Sequence, residues 1–423
     1  MSNLSRRSLL FAAAGSALAA CAGPGGDDEK STSTEGFDGP VEGQLSFAHW
    51  RAEDKDVLEQ IIASFVAKNP KVTVRQDISP SNDYQTTALQ KIRGGAVGDA
   101  FTAFRGAQFT QIAGAGVFAD LSGQADLLSK YDGKLIAAGN DKTKQLGLPY
   151  QLVFNMPVTN VDLLAKYGYT DLPKDWDGFL GLLDGLKAKG VTPIAWPGGD
   201  AANAGQLLNT MVMNNIPTDD ALGKFETGEV KATDEWFVNT LKQYAQLRPY
   251  VQNGANGTSA EAAAQLFATQ KAALLATGSF QAGAVRKLGA KFPLGLYAPI
   301  TTTADKAKYE GVFNATFILG INAKSSKQGA ALAWLKHLAD PAVAALYANG
   351  TSQHVTVKDV EYTNEDLKSF APWLTKKTLL APRFQFNNLD VRSAIENATV
   401  QVVGGTDPAK AAEAAQRVID QKK

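Results

Sequence analysis

Apolar and polar residues alternate along Gln44-Leu45-Ser46-Phe47, which predicts a short strand. Val57, Leu58, Ile61, Ile62, Phe65 and Val66 then recur at helical spacing. Asp54 and Asp56 stand at the start of that helix, where its dipole favours acids. Pro70 ends it and Val72-Thr73-Val74 reads as the next strand. Strand, helix and strand in this order form the unit of a parallel sheet. The alternation continues with a helix near Tyr84–Arg93, a strand near Ala100–Ala103 and a helix near Gln108–Ala115.

From Asn160 to Arg248 the pattern is mostly helical, including Phe179–Lys187 and Trp236–Leu247, with the apolar run Val191–Trp196 between them. Ala272–Leu275, Leu294–Tyr297 and Phe317–Ile321 are short and strand-like. Leu332, Leu335 and Leu338 mark an amphipathic helix stopped by Pro341. Pro408–Gln421 predicts a closing helix, with proline suited to its first turn.

The first forty residues belong to none of this. Arg6-Arg7, the apolar run Leu9–Leu18 and the small pair Ala19-Ala20 have the layout of a secretory signal over residues 1–20. The run is too short to span a bilayer. Ser5-Arg6-Arg7-Ser8-Leu9-Leu10 also resembles a twin-arginine export signal, so either export route is open. Leu18-Ala19-Ala20-Cys21 resembles a bacterial lipobox, which implies a lipid anchor on Cys21, the one cysteine of the chain. Residues 21–40 are rich in Gly, Ser, Thr and acids and read as a flexible tether. A single cysteine excludes an intramolecular disulfide. The full chain balances 42 basic against 42 acidic residues, so it has no electrostatic footprint for nucleic acid. The remaining length exceeds the roughly 250–300 residues at which one core stops growing, so two lobes are expected.

Several segments resemble one family. Phe65–Val74, the stretch Gly98-Asp99-Ala100-Phe101, and Ala115–Leu121 match its first helices and strands. Gly147-Leu148-Pro149-Tyr150 resembles its first crossover, Asn160–Leu164 a helix start, and Leu172–Phe179 its Pro-x-Thr-Trp-x-x-Phe motif. Phe267–Gly278 and Gly320–Ala323 resemble a helix-then-strand before the cleft and a return strand. In this order they resemble the extracellular solute-binding proteins of ABC importers, the carbohydrate-binding branch typified by maltose-binding protein. Thr159, Asp175 and Phe280 depart from it, standing where Tyr, Thr and Trp are usual. The resemblance implies an α/β fold of two lobes with the ligand in the cleft between them. The expected division is residues 41–153 with 308–340 in lobe 1, and 154–307 with 341–423 in lobe 2. It implies a monomer that takes a carbohydrate by lobe closure, delivers it to permease subunits, and needs no cofactor or metal.

A sugar presents hydroxyls and apolar faces, so its site needs aromatic platforms and fork-like polar groups. Trp50, Arg51 and Asp54 follow the first strand, where ligands of α/β folds bind. Trp50 either stacks on a sugar ring or packs under the first helix. Phe104 and Arg105 end another strand, and Gln151 lies at the first crossover with Phe154. Trp196 ends its apolar run and is either a cleft or a core residue. Phe280 matches the family's cleft aromatic, and Asn314 and His354 flank later crossovers, with Gln353 beside the latter. Trp176, Trp236 and Trp334 read as core.

Other functions find less support. A glycosidase needs two carboxylates across the substrate, and no pair stands out among the acids. There is no Gly-x-Ser-x-Gly elbow, and His49, His337 and His354 lack zinc spacing. Gly114–Ala119 formally fits a dinucleotide fingerprint but lies between helix and turn rather than after a strand. A surface receptor without transport, and the same fold carrying a polyamine or an organic phosphate, stay open as alternatives.

Overall fold

The structure, a computed structural model, describes residues 34–95 and 97–422. Cys21 and the signal segment lie outside them. The first sheet contains β1 (Gly43–His49), β2 (Val72–Ile78) and β3 (Ala100–Ala103). A small hairpin, β4 (Asn140–Asp141) and β5 (Lys144–Gln145), leads to β6 (Leu148–Val153). The second sheet contains β7 (Val158–Asn160), β8 (Thr192–Ala195), β9 (Ala272–Leu275) and β10 (Leu294–Leu296). The chain then returns through β11 (Gly311–Ile321) and β12 (His354–Val355), with β13 (Thr378–Leu380) near the end.

The first sheet runs β12-β6-β11-β3-β1-β2, with β13 pairing off β11. β2 and β3 lie parallel to β1, as strand–helix–strand units require, while β11 is antiparallel to β3 and β6. The helix Lys55–Lys68 buries Leu58, Ile61, Ile62 and Phe65 against this sheet, and Leu45, Phe47 and Trp334 share the same core. The second sheet runs β10-β7-β9-β8. Its core gathers Phe179 and Leu183, Ile194, Leu274, Tyr244, Val402 and Ile419 from four helices and two strands. This is a mixed α/β protein with two cores.

Three segments link the cores: 154–157 after β6, the start of β11, and the chain beyond Val357. β11 serves both. Its residues Gly311–Phe313 pair with β13 and Val312 belongs to the second core, whereas Asn314 onward pairs with β6. Two expected boundaries shift. Pro341 does not return the chain to the second lobe. It opens a new helix, Pro341–Thr351, because the Asp340 side chain accepts from the N–H groups of Ala342 and Val343. Val343, Ala344 and Tyr347 of that helix, and Val355 and Val357 after it, pack in the first core. The expected tether is also shorter. Thr34–Asp38 forms a 3₁₀ turn, with Phe37 buried in the first core. There the backbone of Gly39 abuts Gly329 so closely that no side chain fits at Gly329.

Candidate functional site

A cavity of about 460 Å³ opens between the lobes. The ends of β1, β3, β6 and β11 bring Trp50, Arg51, Phe104, Gln151 and Asn314 to it, and the turn Ser279–Gln281 brings Phe280 from the other side. These are the strand ends at which open α/β sheets place ligands.

The aromatic wall has two layers. Trp50 is 7% exposed, and Phe104 stacks on it at 3.6 Å between ring centroids and 19° between planes. Phe317 and Tyr84 meet the Trp50 ring at 4.9 and 5.5 Å. Phe104 is therefore the half-buried outer platform and Trp50 the support beneath it. Phe280 provides a second platform. Gly278 permits its position, since a Cβ there would lie 2.7 Å from the Phe280 ring. Gln353 Nε2 donates to the Phe280 carbonyl oxygen at 3.3 Å.

Arg51 is buried and fixed. Its Nε and Nη2 donate to the two oxygens of Asp54 at 2.8 and 2.9 Å, and Nη1 pairs with Glu53 at 2.9 Å. Burial alone would lower its pKa, but the carboxylates of Asp54 and Glu53 outweigh that and raise it. The Tyr347 hydroxyl donates to Asp54 Oδ2 at 2.6 Å, and Gln151 Nε2 donates to that hydroxyl. The Arg51 N–H donates to His49 Nδ1 at 3.2 Å. The fork is thus held from three elements before any ligand arrives.

Four sequence candidates sit elsewhere. Asp54 does not line the cavity: it lies behind Arg51 as its bidentate partner. Arg105 is also absent from the cavity lining, and burial pushes its pKa down to about 10. Trp196 is 1% exposed and closes the second core, its Nε1 donating to the Ala204 carbonyl at 3.3 Å. His354 packs between Phe154 and Tyr362, and burial lowers its pKa to about 4. In both cases the strand end turns its side chain into a lobe rather than into the gap.

Other cleft residues escaped the sequence reading. Asn155, Gln206 and Thr316 line the cavity, as do Gln85, Arg383 and Arg392. Asn155 Oδ1, Asn314 Oδ1, Thr316 Oγ1 and Arg392 Nε are buried without a hydrogen-bond partner among the described residues. Buried polar atoms are rarely left so, and four around one cavity mark where a ligand would bond. Thr316 was legible, because it shares a strand face with Asn314 two residues earlier. Arg383 and Arg392 were not, since they come from the 3₁₀ turn Pro382–Gln385 and the helix Leu389–Val403, far along the chain. Arg392 Nη2 donates to Gln85 Oε1 across the cleft at 2.6 Å, and Asn82 Nδ2 donates to Asp200. Burial holds Arg392 below the usual arginine range, and Glu396 offsets that only in part. Among the described residues, no group of His, Cys, Asp and Glu could hold a metal ion.

A family model for bacterial extracellular solute-binding proteins matches residues 51–345. The chain belongs to that family. Its relatives include the multiple sugar-binding protein of Streptococcus mutans serotype c, 24% identical over 350 residues, covering 78% of this chain and 79% of the relative. Two solved structures share the fold with a TM-score of 0.78. The solute-binding protein RafE in complex with raffinose is 20% identical, over 90% of this chain and all of that one. A chitin oligosaccharide binding protein is 22% identical, over 90% and 99%. A probable secreted solute-binding lipoprotein from Streptomyces coelicolor matches with a TM-score of 0.69 and 18% identity, over 90% and 99%. In this solute-binding protein the family's work is binding rather than catalysis.

Proposed function

We propose that this protein captures a carbohydrate in the interlobe cleft and delivers it to the permease subunits of an ABC importer. The observation that carries the reading is the cleft lining. Aromatic platforms at Phe104 and Phe280 face amide, hydroxyl and guanidinium groups, several of them lacking a partner. Ring faces suit the apolar side of a sugar, and mixed donors and acceptors suit its hydroxyls. A polyamine would instead need a cleft dominated by acids. The names of relatives that bind raffinose, chitin oligosaccharides and multiple sugars point the same way.

The protein works by hinge closure, with the ligand favouring the closed state through contacts on both lobes. It is anchored at the outer face of the cell membrane through a lipid on Cys21, as a monomer. A thermal-shift screen against mono- and oligosaccharides, polyamines and phosphates tests the cargo. One sugar group should raise the melting temperature without being consumed. A shift only with charged non-sugars would overturn the carbohydrate reading, and turnover of the sugar would make the protein an enzyme.

A further inference from the structure

At one end of the cleft two guanidinium groups share a single carboxylate. Arg383 Nε and Nη2 donate to Glu396 Oε1 at 2.8 and 2.5 Å. Arg392 Nε lies 3.6 Å from the same oxygen, too far for a hydrogen bond, and has no other acceptor. All three side chains are buried, with 4, 8 and 1% of the Arg383, Arg392 and Glu396 side chains exposed. Asp200 also faces Arg392, but its oxygens already accept from Asn82, Asn203 and the Ala202 N–H. Of the other acids lining the cleft, Glu53 is held by Arg51 and Glu261 is solvent-exposed. On the facing lobe, Arg105 has no ion-pair partner among the described residues. It adjoins Gly106, where a Cβ would lie 2.8 Å from the Phe384 carbonyl oxygen.

We propose, building on the carbohydrate reading above, that the solute is an acidic saccharide whose carboxylate seats between Arg383 and Arg392. A neutral hydroxyl could accept the free Arg392 proton but would leave a buried positive charge whose closest acid, Glu396, stands 3.6 Å away and is bonded to Arg383, with Asp200 acting from beyond ion-pair distance. Such a charge is costly until it is paired. A carboxylate supplies both the acceptor and the charge, in the planar two-oxygen geometry that a guanidinium fork matches. The Asn155, Asn314 and Thr316 side chains are left for the sugar hydroxyls and Phe104 for the ring face.

The test is calorimetric titration of the purified protein with matched sugars that differ only at C6. The pairs are galactose and galacturonate, glucose and glucuronate, and the α-1,4-linked dimers galactobiose and digalacturonate. At least one acidic member should bind tenfold or more tighter than its neutral partner. Arg392→Gln should collapse that ratio towards one. Equal or tighter binding of every neutral member overturns the proposal in the unmodified protein, whatever the variant's folding. Binding of citrate or inorganic phosphate with silence from all sugars overturns the carbohydrate reading, and this proposal with it.

Discussion

At the scale of single residues, stacking assigns different work to neighbouring rings. Phe104 offers a face to the cleft while Trp50 lies under it, so truncating each should read differently. Phe104→Ala is expected to weaken ligand binding about tenfold with little change in melting temperature. Trp50→Ala should lower both, because it also removes the contacts with Tyr84 and Phe317. Equal affinity of Phe104→Ala and the parent in a titration would remove the platform from the site. His49 gives a pH signature. It is fully buried, and burial pushes its pKa from 6.5 down to about 4, although Gln76 and Asp54 act to raise it. The unfolded chain therefore takes up this proton first as pH falls. The His49 contribution to stability should be full above about pH 6.5 and be lost between there and pH 4, by roughly 3 kcal/mol on the linkage scale. Denaturant melts across that window check the slope, which should be shallower in His49→Gln.

At the scale of elements, most strands and helices were legible. Ala100–Ala103 and Ala272–Leu275 appear with the bounds the pattern predicts, and the helix at Phe179–Lys187 extends over Trp176–Ala188. Where the reading fell short, a local signal was competing with a capping or pairing contact. The helix before Pro341 ends at Leu338 as expected, but Pro341 also starts a new helix, since Asp340 caps it. Phe317–Ile321 is only the end of β11, whose earlier residues gain their pairing from β6 and β13. Asp175, standing where the family has threonine, accepts from the Gly178 N–H at 2.7 Å as the N-cap, a task a threonine side chain can also perform. Asp175→Ala should cost about 1 kcal/mol in chemical denaturation, and Asp175→Thr only a few tenths. Similar midpoints for the alanine and threonine variants would argue against the cap.

At the scale of the whole molecule, the lobes touch across the cleft at several points. Besides Asn82–Asp200 and Gln85–Arg392, Thr110 Oγ1 donates to Asn387 Oδ1 at 2.9 Å and Lys287 Nζ to the Glu53 carbonyl oxygen. Gly106 makes another close approach. Its φ is +82°, and a Cβ would meet the Phe384 and Phe386 carbonyl oxygens at 2.8 and 3.1 Å. Gly106→Ala should hold the lobes apart, raise the radius of gyration in small-angle scattering with ligand present, and weaken binding at least tenfold. A variant that closes and binds as the parent does would show that this contact does not limit closure.

The linear pattern alone determined the alternation of strands and helices, the need for two cores, and the strand-end aromatics at Trp50 and Phe104, while Phe280 came from the family resemblance. Hydrophobic periodicity and chain length are local or additive properties, so they survive without a fold. Only the tertiary structure decided which of those residues share the cavity, that Asp54 serves Arg51, and that Trp196 and His354 turn into the lobes. It alone brought Arg383 and Arg392 to face Gln85 and Asn314. The Gln85–Arg392 contact joins residues 307 positions apart, and burial, pairing and charge compensation are properties of neighbours in space rather than in sequence.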